Sequence, residues 1–187
     1  MQKAIRQFGL ALLLVLCSIH GHTAEIKGVH FPDMYTEDGV ELHLKGVAVL
    51  KWAMLINVYA GGFYLPEQVS GSAWSGDLPK RLELAYFREI TAQEFTDSSI
   101  SLLRDNLSED AYQTIEPRLL AFCNLFQNVG PGDRYSLTYH PDRGTELRLN
   151  NQLLGGVQGL DFAVAYFGIW LGPTPISETF RDKLLKD

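Results

Sequence analysis

The 187 residues, 46% of them apolar and 20% charged, are enough for one hydrophobic core and few for two ordinary domains. With 22 acidic residues against 16 basic ones the net charge is −6, which makes phosphate backbones poor partners and argues against a nucleic-acid ligand. Two cysteines and five scattered histidines offer neither a disulfide framework nor the close ligand spacing of a metal site, so no metal is expected.

Residues 1–24 read as an export signal. Lys3 and Arg6 form a positive start, Phe8 to Cys17 is an apolar run too short to cross a bilayer of about 30 Å, and a small-residue stretch ends near Ala24. Its removal takes two basic residues and no acidic one, leaving a single domain over residues 25–187 with a net charge near −8. That domain is expected in the periplasm or outside the cell, with Cys123 its one thiol and no membrane span.

Along the domain, Val40, Leu42 and Leu44 alternate with Glu41, His43 and Lys45, the period of a half-buried strand. From Val47 the pattern becomes nearly continuously apolar up to Leu65-Pro66, as a strand or strand pair broken by a bulge and covered on both faces. A surface loop around Trp74 follows, then a strand through Leu82, Leu84 and Tyr86. Thr91-Ala92-Gln93-Glu94 is a capping box opening a helix to about Asn106. Ser108 caps a second helix, whose apolar face holds Ile115, Leu119, Phe122 and Cys123 and which Pro117 should kink or restart. Tyr135 to Tyr139, Leu147 to Leu149 and Leu153 to Val157 form an antiparallel meander with turns at residues 140–144 and 150–151. An apolar helix from Leu160 to Leu171 stops at Gly172-Pro173, and Ser177 caps a last short helix. Strands, two helices, three strands and helices again make a segregated α+β order rather than alternating βαβ.

Two separated blocks carry a family resemblance. In the first, Leu42, Leu44 and Gly46 lead into Val49, Leu50, Lys51 and Trp52, followed by Asn57, Val58, Tyr59, Ala60, Gly61, Gly62, Phe63, Tyr64 and Leu65. In the second, Gly155, Gly159, Asp161, Phe162, Ala163, Ala165, Phe167, Ile169, Trp170, Leu171 and Gly172 run to the end of the apolar helix. Together they resemble the chalcone isomerase-like family in its secreted bacterial branch. Lys51 stands where that family usually has Arg, Ala48 where it has Gly, and Asn57 where it often has Lys. The resemblance implies an open-faced sandwich, an antiparallel sheet with helices packed on one face and a ligand cleft between the layers.

In the plant enzymes of that family the Arg steadies negative charge while a phenolate adds to an enone within one molecule. Lys51 takes that place here as a point charge without the planar fork of Arg, and Tyr59 falls where the plant enzymes carry a Thr. Asp161, near a helix start, and Cys123, on an apolar face, read as structural. Hydrolase, metalloprotease, phosphate-loop and dinucleotide fingerprints are all missing, so no cofactor is expected.

The expected function is non-catalytic binding of a small amphipathic acid, of fatty-acid or polyketide type. Lys51 would meet the anionic end, Tyr59 and Asn57 would lie beside it, and Trp52 and Phe63 would surround the tail. Two readings remain beside it. One is an isomerase closing a ring by conjugate addition, with Lys51 and Tyr59 catalytic; the other is an envelope protein that engages a partner protein through the loop around Trp74. Oligomeric state is not legible in the sequence.

Overall fold

The computed structural model describes residues 23–37 and 39–186. The expected export segment lies outside these residues, apart from Thr23 and Ala24, which open the first strand.

A two-stranded hairpin, β1 (Thr23–Ile26) and β2 (Val29–Pro32), precedes a seven-stranded antiparallel sheet. The sheet runs β3 (Met34–Glu37), β4 (Val40–Trp52), β5 (Ile56–Leu65), β6 (Lys80–Tyr86), β7 (Arg134–His140), β8 (Gly144–Leu149) and β9 (Gln152–Val157), each strand paired with its neighbour in sequence. Helices α1 (Ala92–Asn106) and α2 (Glu109–Cys123) are inserted between β6 and β7, and α3 (Leu160–Leu171) and α4 (Glu178–Leu184) follow β9. The fold is thus the α+β arrangement of a meandering sheet with helices packed on it. The nearly continuous apolar stretch proves to be two strands, β4 and β5, with bulges between Leu44 and Gly46 and between Leu50 and Lys51.

Strand alternation gives the sheet two different faces. Leu82, Leu84 and Tyr86 of β6 pair in register or diagonally with Leu137 and Tyr135 of β7, and this apolar face meets Leu103, Leu119, Phe122, Phe162, Tyr166 and Phe167 of the helices. Cys123 packs in the same core, where burial pushes its thiol up to about 11. α1 opens on the expected capping box, Thr91 and Glu94 bonding reciprocally. α2 continues unbroken through Pro117, because the ring lies on an exposed turn where the carbonyl it leaves unpaired can be hydrated. Asp161 pairs with Arg118, which holds its carboxyl below the usual carboxylate range and ties α3 to α2.

The opposite face is buried but polar. The Arg81 guanidinium donates to Thr138 at 3.1 Å and to Glu83 at 3.0 Å, and stacks over the Tyr35 ring at 3.8 Å. Arg134 bridges from Glu83 to the His30 carbonyl of the β1–β2 hairpin. Glu37 of edge strand β3 lies 2.8 Å from Arg148 of β8, five strands away in the sheet order, so the sheet curls toward its polar face and brings these strands' side chains together. Phe31 of the hairpin closes this layer and is wholly buried against Gly62, where any Cβ would strike its ring.

Candidate functional site

Between the apolar face of the sheet and the helices lies a cavity of about 920 Å³. Leu82, Leu84, Leu137 and Leu147 make its floor; Phe95, Ser99 and Leu102 of α1, with Tyr166, Ile169 and Trp170 of α3, make its roof. Its opening is framed by the end of β4 and the start of β5, where Lys51, Trp52, Ala53 and Ile56 meet Arg88, Glu94 and Asp97. A space of this size with a mostly apolar lining suits a long acyl chain or a compact polycyclic molecule.

Opposite Leu50 and Lys51 the β5 strand carries one extra residue, Val58, and beyond this bulge Lys51 lies on the rim, exposed to water. Its ammonium makes no hydrogen bond or ion pair with another described residue. A tight turn then reverses the chain, with the Leu55 amide donating to the Trp52 carbonyl at 3.2 Å and Ala53 and Met54 at φ of 47° and 60°.

Inside, nearly every polar group is already bonded. The Trp170 indole donates to the Tyr59 hydroxyl at 2.9 Å, Ser99 and Tyr166 share a hydrogen bond of 2.9 Å, and the Tyr135 hydroxyl donates to the Gln127 carbonyl. Burial raises the Tyr59, Tyr86 and Tyr166 hydroxyls well above their ordinary range, so they stay neutral donors at any physiological pH. Tyr86 is the exception in bonding. Only 3% exposed and packed edge-on against Tyr59, it lines the cavity with a hydroxyl that has no hydrogen bond to a described residue.

The two carboxylates at the opening are committed elsewhere. Glu94 accepts from the Thr91 amide and hydroxyl, which hold its carboxyl below the ordinary value, and Asp97 accepts from Gln93 at 2.8 Å. Both carboxylates stand at the opening rather than inside the chamber. Among the described residues no group of three His, Cys, Asp or Glu side chains is placed to hold a metal ion.

Of the residues singled out in the sequence, Lys51, Trp52 and Tyr59 line the cavity together. Asn57 pairs with Lys51 across the hairpin but lies outside the lining, and Phe63 is fully enclosed in the core farther along β5. Trp74 packs against the core beside Gly168 rather than standing free. Tyr86 and Arg88 were legible only as part of a strand and its exit; their place beside Tyr59 comes from the β5–β6 pairing.

A family model described as chalcone isomerase-like matches residues 23–186. No curated protein matches the sequence. Among solved structures, a fatty-acid binding protein of Arabidopsis thaliana superposes with a TM-score of 0.71 at 15% identity, over 88% of this chain and 96% of that one. At that identity the likeness is one of fold.

Proposed function

Since the chain belongs to the chalcone isomerase-like family, we propose that within it this protein is a secreted, non-catalytic carrier of a small amphipathic acid, a fatty acid or polyketide-like acid. What carries the reading is a deep apolar chamber with cationic Lys51 and Arg88 at its opening and, among the described residues, no carboxylate or imidazole lining it deeper than that opening. The acyl tail would lie over Leu82, Leu84 and Leu137, the carboxylate would face Lys51, and the unbonded Tyr86 hydroxyl would serve any polar atom that reaches inward. The Arabidopsis protein of like fold is described as a fatty-acid binder, which adds support by analogy.

Ring closure by conjugate addition has less to rest on here, because Lys51, the one cation assigned to it, stands exposed on the rim rather than in the pocket. Export rests on the basic start and apolar run of residues 1–24, and the amino-terminal sequence of protein recovered from the periplasm or medium tests it. The ligand is tested by solvent extraction of purified protein followed by mass spectrometry, with a fluorescent fatty acid as probe. A stoichiometric acid and saturable uptake are expected; an empty extract together with no uptake overturns the reading.

A further inference from the structure

The β4–β5 hairpin ends in an apolar point. Trp52 is 64% exposed, Met54 86%, Leu55 86% and Ile56 45%. A turn with two consecutive positive φ values normally takes Asn or Gly, because other L-residues are strained there. This chain follows that habit at both positions of Asn150-Asn151 between β8 and β9, and at one of the two in Lys27-Gly28 between β1 and β2. Among the described residues, only at 53 and 54 are both left-handed positions of a tight turn filled by neither Asn nor Gly, and there Ala and Met stand beside exposed Trp52, Leu55 and Ile56. Strain kept at an exposed apolar tip points to a role outside the fold.

We propose that this tip, Trp52 to Ile56, dips into a phospholipid bilayer and sets the mouth of the cavity against the membrane, so that an acyl chain passes between the two without crossing water. The inference rests on the acid-carrier reading above. Its geometry favours a bilayer over other occupants. The tip is continuous with the opening, since Trp52, Ala53 and Ile56 also line the cavity. Lys51 sits one residue before it, positioned for the headgroups, as an amphipathic side chain at such a boundary requires. The four side chains offer on the order of 500 Å² at most, with about 200 Å² for a large one, against about 800 Å² per partner in a stable protein interface. Arg88, Glu94 and Asp97 leave the rim near charge balance with Lys51, so apolar insertion rather than attraction to anionic lipid dominates.

The test uses the protein in the form its host leaves it, with phosphatidylcholine vesicles, and compares it with Met54→Asn/Leu55→Ser. Neither position lines the cavity, and Asn accepts the left-handed turn. The native protein is expected to cosediment with vesicles at low and high salt, and the variant to partition about tenfold less or weaker still. Uptake of a fluorescent fatty acid from solution should be equal for the two, while transfer between vesicles should slow only for the variant. Leu55→Phe, which keeps the tip apolar, should retain partitioning. Failure of the native protein to bind vesicles, equal binding by the variant, or a tip-dependent dimer in place of vesicle binding overturns the proposal. Vesicle binding without fatty-acid uptake upholds the tip and removes the cargo; uptake without vesicle binding does the reverse.

Discussion

Lys51 acts from the water side of the opening, so its hold on a carboxylate is that of an exposed charge, worth roughly 1 kcal/mol or less. Lys51→Met should therefore weaken binding of a fatty acid about three- to fivefold. It should leave the matching fatty alcohol unaffected, as calorimetric titration of both would show. Two neighbouring tyrosines make a sharper contrast. Tyr59→Phe removes the acceptor of the buried Trp170 indole and should cost about 1 to 2 kcal/mol in urea unfolding. Tyr86→Phe breaks no hydrogen bond within the described chain and should be nearly silent in stability, while lowering affinity for any guest that reaches its hydroxyl. Lys51, Trp52 and Tyr59 could be read in the sequence because they stand together near one hairpin. Phe63 could not be separated from Tyr59 by alternation, since both face the helices; four residues along a strand is about 13 Å, enough to carry it past the cavity. Asn57 falls outside the lining for another reason: Val58 is the extra β5 residue opposite Leu50 and Lys51, and this bulge changes which side chains the hairpin presents inward.

At the level of elements, three of the four α-helices were legible from their caps, Thr91, Ser108 and Ser177 each accepting from an amide of the first turn, and α3 from its apolar run ending at Gly172-Pro173. Strands β1 to β3 were not, because four residues apiece are too few to display a period. How the elements dock was also out of reach of the sequence. Gly46 shows this: a Cβ there would lie 2.1 Å from the Lys183 carbonyl oxygen, so α4 rests directly on the backbone of β4. Gly46→Ala must push α4 away, loosening Phe180 and Leu184, both wholly or almost wholly buried. A loss of about 2 to 4 kcal/mol in denaturant unfolding is expected, with hydrogen exchange rising first in α4.

For the molecule as a whole, titratable groups enclosed on the helix side of the sheet set the response to alkali. Lys80 is enclosed, donating to the carbonyls of Trp74 and Gly76 and lying over the Tyr139 ring, and burial brings its pKa down to about 8 against the pull of Asp77. An unfolded lysine keeps its proton to about 10.4, so between the two values the unfolded chain binds more protons and stability gains up to about 1.4 kcal/mol per pH unit. Tyr59, Tyr86 and Tyr166 act in the opposite sense, since the folded chain keeps their protons above pH 10 where the unfolded chain gives them up. Urea midpoints should therefore rise from pH 8 to 9.5, fall beyond 10, and lose the rising limb in Lys80→Met. The cavity adds a consequence for assembly. Its walls are gathered from Leu50 at one extreme to Ile176 at the other, with contributions from α1 and α3 on opposite sides of the β7–β9 meander. A nascent polypeptide thus has no receptacle for a guest until almost its last residues are in place, and cargo can reward only the finished product, by mass action on its persistence.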